Sequence, residues 1–365
     1  NKGANLYVNG GTANIVSSEI DNSQTGIFQS GGAVTVSQSS VHDNADGTYN
    51  TSGGALTITD NNFQNNSRPL FLSPAVDFTH SGNTAANNNI NGIGMDGYLI
   101  SNRTWTKDLI PYVVFSDSNA STATSSIIIS SGTTLTIDPG VIVKFAFPWS
   151  QLIVNGTLNA NGTASQPIYF TSIKDDTVGG DTNNDGSTTT PAPKDWGRII
   201  IQDGTANISY GTIRFGGYIN YVGLQVSGGA LSLTNSRLTQ NSNINLYVLG
   251  SANGVSSEID HSDYGIYQTG GTVNISQSSV HDNISYGAYA IGSPNPMNTQ
   301  NNFWGDSTGP YHPTLNPTGL GNLVSDNVLF VPWLLRDPTK PPPAPEKMIR
   351  PVVGGKLTEI FDFDP

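Results

Sequence analysis

The residues best suited to bind a metal ion lie in a polar stretch between positions 174 and 195. From Asp181 to Gly186 the sequence reads D-T-N-N-D-G, which places oxygen-bearing side chains at alternate positions. One tight loop can aim three such side chains at a hard cation, and the glycine permits the sharp turn. This spacing is typical of a calcium-binding loop.

A calcium loop of this kind usually carries an acidic residue at its twelfth position, where this chain has Ala192. A neighbouring carboxylate, such as that of Asp195, must therefore complete the coordination shell. We expect a structural Ca²⁺ with ligands drawn from Asp175, Asp176, Asp181, Asn183 and Asp185. The alternative is a solvated acidic loop that binds no ion.

Two histidines stand beside carboxylates, in the pairs His42-Asp43 and His281-Asp282. Imidazole next to carboxylate is a common arrangement for proton transfer. The corresponding positions in neighbouring repeats hold other small polar residues, such as Asp21 followed by Asn22. The pattern therefore favours a polar turn over a catalytic pair, and we expect no catalytic residue here.

Aromatic side chains outside the regular pattern could stack against sugars, and Trp149 is the candidate for this role. The alternative is an apolar plug at the end of a repeat stack, which every solenoid needs. For Trp304, Tyr311 and Trp333, near the Pro-rich end of the chain, the plug is favoured.

Composition limits the possible partners. Charged residues make up only 12% of the 365 residues, and the net charge is −12. Because no basic cluster is present, a nucleic-acid partner is not expected. No apolar run is long enough to span a bilayer, and zero cysteines exclude disulfides and thiolate chemistry.

An internal repeat predicts the fold. Ile20, Val41 and Phe63 follow one another at spacings of 21 and 22 residues, and a second series runs through Ile259 and Val280. Within each unit apolar residues alternate over four or five positions, which indicates short strands. Such strands bury a face only by stacking on their neighbours. The sequence therefore predicts an all-β, right-handed parallel β-helix, a solenoid with about 21–22 residues per coil.

The repeats fall into two related arrays. Residues 17–44 align without gaps to residues 256–283 with 20 identities in 28, which indicates a duplication. We expect a first coil array at 1–92, a junction at 93–132 and a second array at 133–335. The second array contains the polar excursion 174–195 and a closing motif at 301–334, and it is followed by a Pro-rich linker at 336–347 and a tail at 348–365. We also expect Asn22, Asn44 and Asn66 to stack at one corner of the coil.

These residues resemble a known family. The closing motif NNFWGDSTGPYHPTLNPTGLGN, together with TIDPGVIVKF and LIVNGTLNANGTASQPIYFTS, is similar to secreted or cell-surface prokaryotic parallel β-helix repeat proteins of the pectate-lyase-like superfamily. The resemblance covers about residues 1–335 and includes no catalytic signature. It implies the fold and an extracellular or cell-surface location, but no activity.

The sequence favours a non-catalytic surface protein with a structural or adhesive role. Enzymes acting on sugars need an acid and a base on either side of the bond, whereas the 15 basic residues here are dispersed and Asp203 and Arg214 are the nearest approach to such a pair. A polysaccharide lyase or hydrolase, or a carbohydrate-binding module, stays open as an alternative. Because residues 5–44 match the interior of the second array, we also expect head-to-tail contact with other copies or with preceding repeats, with Lys356–Phe363 as a possible added strand.

Overall fold

The computed structural model describes residues 3–50, 53–115 and 126–341. These residues form strands and turns and contain no helix. Every pairing between the strands defined below is parallel, as expected for a chain that coils around one axis.

The strands are, in chain order, β1 (Ala4–Val16), β2 (Glu19–Asp21), β3 (Thr25–Ser37), β4 (Ser40–His42), β5 (Asp46–Asn50), β6 (Ala55–Thr59), β7 (Asn62–Gln64), β8 (Arg68–Leu72), β9 (Asp77–Ser81), β10 (Thr84–Ala86), β11 (Ile93–Met95), β12 (Gly97–Leu99), β13 (Arg103–Trp105), β14 (Tyr112–Val114), β15 (Ser126–Ile129), β16 (Thr134–Ile137), β17 (Ile142–Phe145), β18 (Gln151–Val154), β19 (Thr157–Asn161), β20 (Ile168–Ser172), β21 (Ile199–Ile201), β22 (Thr205–Ser209), β23 (Gly211–Arg214), β24 (Val222–Val226), β25 (Ala230–Thr234), β26 (Arg237–Thr239), β27 (Ile244–Val248), β28 (Ser251–Val255), β29 (Glu258–Asp260), β30 (Tyr264–Gln268), β31 (Thr272–Ser276), β32 (Ser279–His281), β33 (Tyr286–Ala290), β34 (Met297–Asn298), β35 (Pro310–Tyr311), β36 (Gly321–Leu323) and β37 (Val328–Leu329).

The strands form four long sheets and one small one. Sheet A has 14 strands in the order β32-β29-β26-β23-β20-β17-β14-β11-β8-β5-β3-β6-β9, with β1 paired to β3. Sheet B is β10-β7-β4-β2, sheet C is β12-β15-β18-β21-β24-β27-β30-β33, and sheet D is β13-β16-β19-β22-β25-β28-β31-β34-β37. Strands β35 and β36 form the small sheet. Sheet A therefore extends through both arrays.

The strand register confirms the repeat length that the sequence predicts. Ile20 pairs with Val41, which pairs with Phe63, and Ile259 pairs with Val280. All five side chains are buried, and they belong to one hydrophobic core that runs along the coil axis. Each coil covers apolar side chains of the next, and burial of this kind stabilises the fold by about 25 cal/mol per Å² of apolar surface.

Asparagine side chains stack in a ladder at one corner of the coil, as predicted for Asn44 and Asn66. The first member of this ladder is one residue later in the chain than the predicted Asn22. The Nδ2 atom of Asn44 donates to Oδ1 of Asn66 at 3.2 Å, and Asn66 donates to Asn88 at 3.1 Å. The first rung is Ser23, whose hydroxyl donates to Oδ1 of Asn44. Asn22, the preceding residue, has a left-handed backbone conformation with a φ of 53°. The left-handed conformation and the stacked amide therefore occupy adjacent positions, and the expectation for Asn22 is wrong.

Paired glycines form another corner, at the point where long strand β3 turns. Gly32 has a φ of +72°, and a Cβ atom there would lie 2.4 Å from the carbonyl oxygen of Gly11 in the coil before. Only glycine combines this backbone conformation with so close an approach between coils.

The segment between the arrays contributes strands to the stack. Strand β11 pairs with β8 on one side and with β14 on the other, so hydrogen bonding within sheet A is continuous there. At the far end Trp304 is fully buried and Phe330 is nearly so, while Tyr311 is 40% exposed. The Pro-rich linker is described only as far as residue 341, and the tail lies outside the described residues. The domain boundaries stay a prediction.

Candidate functional site

The polar excursion after β20 folds back over the outer face of sheet A and covers Lys144. The Lys144 ammonium is fully buried and donates hydrogen bonds to the carbonyl oxygens of Asp175, at 3.0 Å, and Gly180, at 2.8 Å. Burial lowers the pKa of Lys144 to about 8, although the carboxylates of Asp175 and Asp176 oppose the change.

Three of the predicted metal ligands converge beside this lysine. Oxygen atoms of Asp176, Asp181 and Asp185 all lie within 4.8 Å of one another. Burial raises the pKa of Asp176, and the nearby charges of Asp181 and Asp185 raise it further. Negative charge is therefore concentrated in a partly buried position, where a cation would relieve the repulsion.

Buried oxygen atoms in this cluster lack hydrogen-bond partners within the described part of the chain. They are the Oδ1 atoms of Asp176, Asn183 and Asp185. A buried polar atom without a partner is costly, and a metal ligand is one way to satisfy it. Carboxylate and amide oxygens are the donor atoms that Ca²⁺ prefers, so these residues fit a calcium ion.

The remaining predicted ligands have different surroundings. The side chain of Asp175 is fully buried and accepts hydrogen bonds from Thr171, Thr177 and Arg214. Asp195 pairs with Lys174 at 2.7 Å. The Asp181 carboxylate accepts two backbone N–H groups of its own loop. The structure thus brings together the carboxylates of Asp176, Asp181 and Asp185, with the Asn183 amide donating to Asp185 at 2.8 Å, and it directs the Asp175 side chain elsewhere.

A column of ion pairs follows the excursion along the outer face of sheet A. Arg214 contacts Asp175 at 2.6 Å, and Arg237 pairs with Asp260 and lies 3.3 Å from Glu258. This column was not expected from the sequence. Searching for charged residues separated by one coil length could have found it, since Arg237 and Glu258 are 21 residues apart and pair in register.

The column ends at His281 and at a segment that follows the closing motif. Glu258 accepts hydrogen bonds from His281 at 3.0 Å and from Lys340 at 2.8 Å. The bond from His281 lowers the pKa of Glu258 to about 2 against the effect of burial. Burial opposes protonation of His281, but its hydrogen bonds to Glu258 and Asp282 outweigh burial and raise its pKa to about 9.

The first array contains the same contact between a histidine and two carboxylates. His42 lies 2.8 Å from Glu19 and 2.7 Å from Asp43. Its hydrogen bonds to Asp43 and Glu19 raise its pKa, and the Glu19 side chain is 70% exposed. The carboxylate partners of this histidine therefore lie at the surface, whereas His42 itself, the last residue of β4, is 20% exposed.

Aromatic side chains form two rows on the outer faces of strands. Row 1 consists of Tyr7, Phe28, Tyr49 and the buried Phe71, and row 2 consists of Tyr247, Tyr267 and Tyr289. Consecutive ring centroids are 5.3, 5.5 and 5.6 Å apart in row 1 and 5.7 and 5.1 Å apart in row 2. The sequence placed outward aromatics only in irregular segments, so both rows were missed.

Trp149, the predicted stacking residue, lies in the turn between β17 and β18. Its side chain is 39% exposed and meets Tyr218 edge to face, with ring centroids 4.8 Å apart. The ring is thus accessible from solvent, as a stacking residue must be.

Comparison with known proteins agrees with the coil geometry. Residues 1–142 match the family model described as "Right handed beta helix region". The chain is a right-handed parallel β-helix. No curated protein and no solved structure matches this β-helix. Among its described residues, no helix is long and apolar enough to cross a membrane.

Proposed function

We propose that this β-helix is a non-catalytic extracellular surface protein with a structural or adhesive role. The observation that carries the proposal is the pairing of charges on the outer face of sheet A. Arg214 is paired with Asp175, Arg237 with Asp260, and Glu258 with both His281 and Lys340. Such pairs hold coils and covering segments together.

The same pairing disfavours acid–base chemistry. A general acid or base works best when its pKa lies near the operating pH and its reacting atom can reach the substrate. Asp175 and Asp260 have fully buried side chains, and the pKa of Glu258, about 2, leaves that carboxylate a weak base at neutral pH. His281, with a pKa of about 9, stays protonated there and cannot accept a proton.

A panel of neutral and anionic polysaccharides tests the proposal. We expect retention on some of them in a binding assay and no release of reducing ends or unsaturated products. A polysaccharide lyase or hydrolase is the alternative, favoured by the carboxylates and arginines on one sheet face. Product release that is lost in Arg237→Ala and kept in Asn274→Ser, an exchange on the outer face of sheet D, would establish that alternative instead.

Bound calcium is part of the proposal, with Asp176, Asp181, Asn183 and Asp185 as ligands. The ion would satisfy the buried oxygens, hold the turns of the excursion together and take no part in chemistry. The extracellular location rests on the family resemblance, and surface labelling of intact cells of the source organism with antibody tests it.

Self-assembly into head-to-tail filaments is a further part of the proposal. Strand β1 pairs with β3 along one edge, and within the described residues no strand pairs with its other edge. An open edge of this kind accepts another strand. Light scattering and electron microscopy of the full chain, beside a version without residues 346–365, test this: a strictly monomeric full chain contradicts self-assembly, and filaments lost on truncation support it.

A further inference from the structure

Among the described strands, hydrogen bonding continues from the first array to the second on sheet A alone. Sheet B ends at β10, whereas sheets C and D begin at β12 and β13. Sheet A crosses the junction through β8, β11 and β14, and each of these two pairings spans three residues. Contacts outside the strands therefore carry more of the connection here than they do between regular coils.

The polar excursion, residues 174–195, reaches back over this junction to the end of the first array. The backbone N–H of Asn91 donates to the carbonyl oxygen of Thr182 at 2.7 Å, and its Nδ2 atom donates to the carbonyl oxygen of Asp181 at 3.0 Å. Asn91 and Asp181 are 90 residues apart in the chain. Thr182 is fully buried, so this contact is closed to solvent on the side of the excursion.

Asn91 is also the last member of the asparagine ladder. Its Oδ1 atom accepts hydrogen bonds from the backbone N–H of Asn88 at 3.1 Å and from Nδ2 of Asn88 at 3.0 Å. Asn88 in turn accepts the hydrogen bond of Asn66 at 3.1 Å. The ladder of the first array therefore ends on the backbone of the excursion, through the amide of Asn91.

An apolar cluster on the outer face of sheet A joins the same parts of the chain. Its buried members are Phe71, Val113, Phe115 and Ile173, and Tyr49, Ile90 and Ala146 pack against them. Phe71 lies on β8 of the first array, and Ile173 directly precedes the excursion. The start of the excursion is thus fixed near the junction by contacts that need no ion.

The rest of the excursion is held by backbone carbonyls that alternate with the proposed calcium ligands. Lys144 binds the carbonyls of residues 175 and 180, and Asn91 binds those of residues 181 and 182. The proposed ligands are residues 176, 181, 183 and 185. Asp181 belongs to both sets, because its carboxylate lies in the acidic cluster while its carbonyl oxygen accepts from Asn91. An ion that holds these ligands together also fixes the acceptors of Lys144 and Asn91.

We propose that the excursion is a calcium-controlled clasp that holds the first array on the second. This inference rests on the calcium site proposed above and assigns that site a task. With the ion bound, the carboxylates of Asp176, Asp181 and Asp185 can stay within 4.8 Å of one another, and the loop keeps its contact with Asn91. Without the ion the three like charges repel, so the loop opens and the ladder loses its last partner.

The clasp should change how the two arrays open. Coils of a solenoid stabilise one another through their interfaces, so a weakened interface lets the coils on one side open separately from those on the other. Strands β7 and β8 lie in the coil next to the junction and carry no calcium ligand. Their amide protons should therefore respond to calcium only if the excursion holds the arrays together.

Hydrogen exchange of the full chain, read by mass spectrometry in calcium and in chelator, tests the inference. Isothermal titration calorimetry of the same samples measures calcium binding separately. Asn91→Ala removes the contact with the excursion but leaves every proposed ligand in place. Asp181→Asn removes a ligand carboxylate, and Asn274→Ser, at an exposed asparagine of sheet D, is the matched control.

We expect calcium to slow exchange in β7 and β8 of the wild type and the control by at least about tenfold and to leave β30 and β33 unchanged. Asn91→Ala should bind calcium as the wild type does, yet β7 and β8 should exchange in calcium as fast as they do in chelator. Asp181→Asn should lose most calcium binding and, with it, the protection of both strands.

Calcium that protects only the excursion, and not β7 and β8, would overturn the clasp while leaving the calcium site intact. The same conclusion follows if Asn91→Ala keeps the calcium-dependent protection of these strands. A wild type that binds no calcium refutes the site and the clasp together. If Asn91→Ala does not fold by circular dichroism, the comparison of the wild type in calcium and in chelator still decides between these outcomes.

Discussion

The Nε2 atom of His281 lies 3.0 Å from Oε1 of Glu258 on the preceding coil, and His42 has the same relationship to Glu19 at 2.8 Å. The duplication has preserved the contact, but only the second copy is enclosed. There the Glu258 side chain is 12% exposed, against 70% for Glu19, and the segment carrying Lys340 reaches the same carboxylate. We therefore expect the same pair of side chains to contribute differently to stability in the two arrays.

Stability should depend on pH through His281. Its pKa is raised from 6.5 to about 9 in the folded state. The stabilisation that the protonated imidazole provides is therefore fully present below pH 6.5 and is lost as the pH rises through 9. We expect His281→Gln to lower the free energy of unfolding at pH 6 and to have much less effect at pH 10. Urea denaturation at both pH values measures this, with Asn274→Ser as a control that should be insensitive to pH. An equal loss at both values would contradict the pairing with Glu258.

Calcium should stabilise the fold through the acidic cluster. A ligand at a hundredfold excess over its dissociation constant stabilises the native state by about 2.7 kcal/mol. We expect a higher melting temperature in calcium than in chelator, and we expect Asp181→Asn to abolish most of the difference. Asp203→Asn, an exposed carboxylate on another coil, should keep it. Identical melting curves of the wild type in calcium and in chelator would remove the calcium site.

The core ladder should not tolerate a charge. Val41 is fully buried between Ile20 and Phe63, so Val41→Asp would bury a carboxylate without a partner and lower the free energy of unfolding by about 3–5 kcal/mol. Val16→Asp, at a side chain that is 47% exposed, is the matched control and should have little effect. His42→Ala should change stability by about 0–1 kcal/mol, because its ion pairs lie at the surface. Denaturant titration of the three variants provides the ranking, and a neutral Val41→Asp would refute the inward ladder.

The buried asparagine ladder should matter more than an exposed one. Asn66→Ala removes the donor to Asn88 and the acceptor for Asn44, leaving buried polar groups without partners at a cost of about 1–3 kcal/mol. Asn207 donates to Asn159 at 2.9 Å in a similar way, but it is exposed. We therefore expect thermal melting to show a clear loss of stability for Asn66→Ala and almost none for Asn207→Ala. Equal effects would mean that burial does not decide the strength of the ladder.

The fold was predictable because one signal repeats. The spacing of Ile20, Val41 and Phe63 specifies which side chains stack, and the register agrees. The aromatic rows and the pair Arg237–Glu258 carry the same period and could have been found by applying it to aromatic and charged residues.

Contacts made by the excursion could not be predicted in this way. Arg214 meets Asp175 across 39 residues, and Lys144 meets Gly180 across 36, neither of which is a multiple of the coil length. How a non-repeating loop folds back depends on its own turns and on the surface that it covers. The local spacing was enough to predict that Asp176, Asp181 and Asp185 lie close together. It could not show that the Asp175 side chain points away from them.

The hydrogen bonds of sheets A, C and D run along the coil axis, since neighbouring strands belong to successive coils. Tension applied along that axis therefore loads the bonds between one pair of coils at a time and peels the molecule from an end. Tension applied across the axis is shared by every strand of a sheet. The molecule should therefore resist tension across the coil axis better than tension along it.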